Sequence, residues 1–188
     1  YTVTLTIDDK SVSLDYTVEK ADLTITANDN TIIYGDVPTG RGVTYDGFVN
    51  GENENTAGVF YGSPNIYFTG YSQYGDAGVY KGAINVGGLT AVNYNITTVP
   101  GTLTVTQREV TLTWHDYENR TYGDGKRVYA TAGSLLEADV GKVQVMVMGN
   151  GANAAGTFTA TAFKLSGYRA HNYKLPTTGL TQEYTIGL

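Results

Sequence analysis

ADLTITANDNTIIYGD, residues 21–36, decides the fold, because its parts return in the same order as REVTLTWHDYENRTYGD at residues 108–124. Each copy opens on a strand-like alternation and closes on the triplet Tyr34-Gly35-Asp36 or Tyr122-Gly123-Asp124. A G-x-aromatic strand follows each copy, Gly78-Val79-Tyr80 and Gly156-Thr157-Phe158. After it comes an Asn-Tyr strand, Asn93-Tyr94-Asn95-Ile96 and Asn172-Tyr173-Lys174-Leu175. Self-similarity at a fixed period of about 85 residues means one structural unit used in series. Such an array points to a mechanical or adhesive task and away from a single active site.

Composition narrows the class. Thr, Val and Tyr suit pleated, half-buried surfaces and Gly suits turns. Tyrosine occurs 16 times and glycine 24 times among 188 residues. A net charge of −6 lacks the basic footprint of a nucleic-acid binder, and the same sign disfavours an anionic membrane surface. The absence of cysteine excludes a disulfide framework and thiolate metal ligation. No apolar run reaches the roughly 20 residues of a membrane-spanning helix. The chain opens inside a strand pattern, YTVTLTI, and is read as a mature or excised fragment.

Period-two alternation runs through nearly every segment, which predicts sheets with one buried and one solvated face, largely antiparallel. Residues 1–7 alternate, 8–11 turn and 12–18 alternate back, a hairpin signal. Two segments resist the strand reading and sit at equivalent positions after YGD: NGENENTAGVF (50–60) and SLLEADVGKVQV (134–145). In the second, Ser134 with Glu137 three positions on forms a capping-box signature and predicts a short helix. DYTVEKADLTI (15–25) aligns with TLTVTQREVTL (102–112), and EYTI (183–186) echoes it. Residues 1–19 therefore read as the closing hairpin of a preceding repeat, 20–107 as module one and 108–188 as module two. The modules join without a linker, unlike a Gly/Ser tether. An isolated hairpin is marginal in water, so residues 1–19 are expected to dock on module one or to pair with a neighbouring chain. The expected architecture is mainly β: two tandem modules, each with a short helix, β-grasp-like or alternatively an immunoglobulin-like sandwich.

YGD, Tyr45 with Gly47-Phe48-Val49-Asn50-Gly51-Glu52, G-x-Y, NYNI and GTLTVT together resemble the MBG (mostly beta, glycine-rich) repeats of large bacterial surface proteins. The resemblance is strongest in module one; in module two, AGSLLEAD (132–139) replaces GFVNGE. It implies an extracellular stalk or adhesin module of a bacterial surface protein, without catalytic residues to carry over; the absence of cysteine is compatible with a Gram-positive source. The partners it implies are other repeats of the same chain.

Each candidate site has a plain structural alternative. YGD, with a third copy at Tyr74-Gly75-Asp76, reads as a turn with a buried tyrosine anchor; calcium needs six or more oxygens and one Asp per turn supplies too few. Asp29 with Asn28 and Asn30, or Glu52 with Glu54, adds oxygens but follows no EF-hand spacing. Tyr61, Tyr67, Tyr71 and Tyr74 are the candidate platform for host glycans or mucins, against the alternative that they fill cores and cross-strand pairs. His115-Asp116 and His171 fall short of a triad or a zinc site, so no enzyme and no cofactor are expected. LPTTG (175–179) has the form of a sortase signal but belongs to the repeat. Lys20, Lys81, Lys142 and Lys164 are the candidates for isopeptide crosslinks. The reading is a non-enzymatic stalk or spacer; the alternatives are a glycan- or mucin-binding adhesin module and an accessory domain of a hydrolase.

Overall fold

The computed structural model describes the whole chain, Tyr1–Leu188. Nine strands precede residue 107: β1 (Thr2–Ile7), β2 (Lys10–Asp15), β3 (Ala21–Ala27), β4 (Asn30–Ile33), β5 (Val43–Asp46), β6 (Phe60–Phe68), β7 (Gly78–Ala91), β8 (Tyr94–Val99) and β9 (Gly101–Thr106). Eight follow: β10 (Arg108–Glu109), β11 (Thr111–His115), β12 (Arg120–Thr121), β13 (Tyr129–Gly133), β14 (Gln144–Met148), β15 (Gly156–Ser166), β16 (Tyr173–Lys174) and β17 (Thr181–Gly187). The only helical pieces are two 3₁₀ turns, Glu137–Asp139 and Ala170–Asn172.

Two compact units form. The first comprises Tyr1–Asn30, Thr39–Gly70 and Lys81–Thr102. The second gathers Thr31–Pro38 and Tyr71–Tyr80 with Leu103–Leu188. The first YGD turn and its third copy, Tyr74-Gly75-Asp76, thus fold with residues of the second repeat.

In the first unit β3 is central. It runs antiparallel to β5 (Ala27 opposite Val43) and parallel to β8 (Leu23 opposite Ile96). Its alternation does what period two dictates: Leu23, Ile25 and Ala27 point inward and are buried. Leu23, Val59 and Tyr94 form a core cluster with Phe48 and Phe60 packed against it. β6 and β7 pair antiparallel, with a register irregularity between Gly62 and Asn65.

The second unit repeats these pairings. β11 runs antiparallel to β13, β10 parallel to β16, and β14 antiparallel to β15. β17 lies between β15, antiparallel, and β12, parallel. Val128, Ala160, Tyr184 and Ile186 make its core, with Trp114 and Phe158 against them. The parallel pairs are invisible to strand alternation, which carries no information about direction.

The predicted helix over 134–145 does not form. Ser134 takes a left-handed φ of 59° and caps nothing, and Leu136 is extended. Only Glu137–Asp139 turns before Gly141, at φ 79°, leads into β14. Residues 50–60 are turns that run into β6. The short helix expected of each module is therefore absent.

The N-terminal hairpin closes more tightly than expected. Asp8 and Asp9, both at positive φ, make a two-residue turn with Ile7 opposite Lys10. One face is a ladder of hydroxyls, Thr4–Ser13 at 2.9 Å and Thr6–Ser11 at 2.8 Å. The other carries Val3, Leu5, Val12 and Leu14, all exposed. The expected docking of residues 1–19 on module one is not seen, since every one of them is exposed. The four isopeptide candidates, Lys20, Lys81, Lys142 and Lys164, are also exposed.

Candidate functional site at the YGD turns

Tyr34 leaves β4 into a tight turn. Its amide donates to the Thr106 carbonyl (2.8 Å), and the Asp36 amide closes the turn on the Ile33 carbonyl (2.9 Å). Gly35 sits at φ 91°, a region side chains avoid. A Cβ built there would lie 2.7 Å from a Leu136 methyl. Turn and glycine together aim the Tyr34 ring into the second unit, where it is 1% exposed.

What it meets is a closed polar cluster. The Tyr34 and Tyr173 hydroxyls both donate to Asp139 Oδ2, at 2.9 and 2.8 Å. The two rings meet edge to face at 5.4 Å. Tyr173 also accepts the Leu136 amide (3.0 Å). Arg169 Nε donates to Asp139 Oδ1 (3.1 Å) and its Nη1 to Asp76 Oδ1 (2.9 Å). Asn172, fully buried, holds Asp76 (2.9 Å) and accepts the Ala77 amide (2.7 Å). Arg108 spans the rim, donating to the Tyr34 carbonyl (2.8 Å) and to Asp36 (2.9 Å).

The electrostatics follow. The Asp139 side chain is only 3% exposed, and burying an unpaired carboxylate is costly. Burial pushes its carboxyl up, but the Tyr173 and Tyr34 hydroxyls and the Arg169 guanidinium outweigh it and hold it below the ordinary carboxylate value. Asn172, with His171 and Arg169, lowers Asp76 against the opposing effect of burial. Burial, with the Asp139 charge, raises Tyr34 and pushes Tyr173 up to about 12. Asp139, both tyrosines and Arg169 are thus all in their best-bonded forms at neutral pH.

A pH dependence follows with a definite sign. The lowered Asp139 and Asp76 stabilise the fold above the unfolded carboxylate value of 3.8, and that contribution is lost as pH falls through their folded values. Tyr173, raised from 10.0 to about 12, withdraws stability as pH climbs across that window. Melting temperature is expected to be flat between about pH 5 and 9 and to fall on both sides. Tyr173→Phe should soften the alkaline fall, as differential scanning calorimetry would show.

The second turn, Tyr122-Gly123-Asp124, has the same backbone but other partners. Asp124 pairs with buried Arg120 (2.7 Å) and accepts the Lys126 amide (2.9 Å). Hydrogen bonds from Arg120 and Lys126 hold its carboxyl far below the usual range. Gly123, at φ 83°, has nothing within 4 Å of a built Cβ. Alanine at Gly123 then meets backbone strain alone, about 1–3 kcal/mol, whereas at Gly35 it adds the clash with Leu136. Urea midpoints should fall further for Gly35→Ala than for Gly123→Ala.

Of the glycan-platform residues, Tyr61 and Tyr67 are exposed on β6 in the first unit, and Tyr74 is exposed in the second. Tyr71 is buried against Tyr80 at 4.8 Å and offers no face to a ligand. Asp29 is engaged by the Thr102 amide and Glu52 by the Tyr94 hydroxyl. No three His, Asp or Glu side chains converge on a metal position. His115 stacks on Tyr129 (4.7 Å) and bonds Thr131 (2.9 Å), while His171 lies 3.3 Å from Asp76. Leu175 to Gly179 form the loop before β17, where the Gly179 carbonyl accepts Trp114 Nε1 (3.2 Å). Asp139 and Arg169, the charged centre of the site, were not singled out from sequence.

The YGD-turn tyrosine of the first sequence repeat is thus bonded to residues of the second. Residues 23–104 match the family model of the MBG domain (YGX type). MBG domains are repeat modules typically found in extracellular surface proteins, and the family is not a known enzyme family. No helix of the chain is long and apolar enough to cross a membrane. No curated protein gives a significant match. No solved structure does so either.

Proposed function

We propose that the chain is a piece of a tandem array in a bacterial extracellular surface protein, where it serves as a non-enzymatic spacer or stalk in adhesion. The observation that carries this is the Tyr34–Asp139–Tyr173–Arg169 cluster. Side chains of the kinds that build binding and catalytic sites bond to one another instead, and join the YGD turn of one sequence repeat to the body of the next. The repeats run 20–107 and 108–188, and residues 1–19 are the closing hairpin of another. Tyr16 and Val18 are exposed, while the positions aligned with them, Leu103 and Val105, and again Tyr184 and Ile186, are buried core.

The test is single-molecule extension of the full chain held at its two ends. Discrete unfolding events are expected, with the force of one of them lowered by Tyr34→Ala. Smooth extension without events would remove the spacer reading.

The exposed Tyr61 and Tyr67 on β6 support a second reading, a glycan- or mucin-binding adhesin module using stacked sugars. Saturable binding on a glycan and mucin array, lost in the Tyr61→Ala/Tyr67→Ala variant, would establish it. A blank array would leave the spacer alone.

A further inference from the structure

The two YGD turns are superimposable in their hydrogen bonding. Tyr34 N donates to Thr106 O at 2.8 Å and Tyr122 N to Gly187 O at 2.9 Å. Asp36 N closes on Ile33 O at 2.9 Å and Asp124 N on Thr121 O at 3.0 Å. Their surroundings are opposite. Tyr34 is 1% exposed and Tyr122 is 60% exposed. Leu136 fills the space beside Gly35, and nothing fills it beside Gly123.

The receiving side also recurs. In the second repeat Tyr173 accepts the Leu136 amide and donates to Asp139, whose amide returns to the Leu136 carbonyl (2.9 Å). In the first, Tyr94 accepts the Val49 amide (3.2 Å) and donates to Glu52, whose amide returns to the Val49 carbonyl (3.0 Å). Each sequence repeat therefore has a tyrosine plug on its YGD turn and an acid–tyrosine socket. The sockets differ: Tyr94 already carries the Phe48 ring edge-on at 5.8 Å, whereas Tyr173 receives Tyr34, whose hydroxyl accepts a hydrogen bond from Arg169.

We propose that Tyr122 is the docking residue for a further repeat of the second kind, its ring entering that repeat's own Asp139–Tyr173–Arg169 socket. The inference rests on the tandem-repeat reading. The partner is identified by an internal precedent: the one socket of this type in the chain already holds a tyrosine on an identical turn. Two features set the expected strength below that of the Tyr34 joint. Asp124 is committed to Arg120, so no counterpart of the Arg108–Asp36 bridge forms. The Asp76 that anchors Arg169 also has no counterpart in the stretch before Gly156.

The experiment compares the full chain with the full chain extended after Leu188 by a second copy of residues 108–188. Both are treated with tetranitromethane and each tyrosine is followed by mass spectrometry, the appended copy carrying Lys126→Arg and Lys174→Arg so that its Tyr122 and Tyr173 peptides differ in mass from those of the original. Exposed Tyr168 should react alike in both chains, and Tyr34 should be protected in both. Tyr122 should react readily in the original chain and at least about tenfold more slowly in the extended one. Asp139→Ala in the appended copy should restore its reactivity. Equal Tyr122 rates in the two chains would overturn the inference. So would an appended copy whose Tyr173 is reactive, since a preceding plug should be enough to complete its socket. If Tyr34 itself proves reactive, the tandem reading fails as well; if it stays protected, only the inference does.

Discussion

Replacing Asp139 with alanine is expected to cost the second unit about 3–5 kcal/mol, the range for removing one partner of a buried ion pair. The carboxylate is the only acceptor that the Tyr34 and Tyr173 hydroxyls share, and it accepts a hydrogen bond from Arg169 Nε. Its removal leaves two buried hydroxyl protons without their acceptor and Asp76 as the only carboxylate bonded to the guanidinium. Asp139→Asn keeps an acceptor oxygen and the volume, so it should lose less, about 1–3 kcal/mol. The measurement is urea unfolding followed by the fluorescence of Trp114, the only tryptophan. That ring packs on the Val128–Tyr184 core of the second unit and reports it directly. A lower midpoint with unchanged slope is the expected pattern.

Tyr34→Ala should cost a similar amount, about 3–5 kcal/mol, as for deletion of a large buried ring. Tyr34→Phe, which removes only the hydroxyl bonded to Asp139, should cost about 1–3 kcal/mol. The informative point is where the loss appears. Tyr34 belongs by sequence to the first repeat, yet it folds with Leu103–Leu188. The tryptophan-detected transition should therefore shift, although the substitution lies far upstream of Trp114. A Trp114 signal indifferent to Tyr34→Ala would mean that the first YGD turn is not part of the second unit.

Strand positions were legible because period two is a local property. Leu23, Ile25 and Ala27 alternate in sequence and are buried accordingly. The YGD turns were legible because only glycine accepts their backbone, and the Asn-Tyr strands because Tyr94 and Tyr173 recur in the same setting. The helix at 134–145 was misread because its local signal, Ser134 with Glu137, lost to tertiary demands. Leu136 must stay extended to cover Gly35, and Asp139 must turn inward to two tyrosines. The socket itself was obscured by substitution: its acid is Glu52 in one repeat and Asp139 in the other. Arg169 has Thr90 at the matching place before the Asn-Tyr strand, so no repeat signal marks it. Nor does sequence separate Tyr71, buried on Tyr80, from the exposed Tyr61, Tyr67 and Tyr74, because burial depends on what folds over the ring.

The contact that ties the first YGD turn to the second repeat is the Tyr34 hydroxyl on the Asp139 carboxylate. A double-mutant cycle of Tyr34→Phe and Asp139→Asn, read by Trp114 fluorescence in urea, tests it most directly. A coupling of about 1 kcal/mol or more is the result predicted for two groups that touch in one network. Additive losses, within about 0.5 kcal/mol, would contradict it: the YGD tyrosine would then not be locked to the second repeat through this acid.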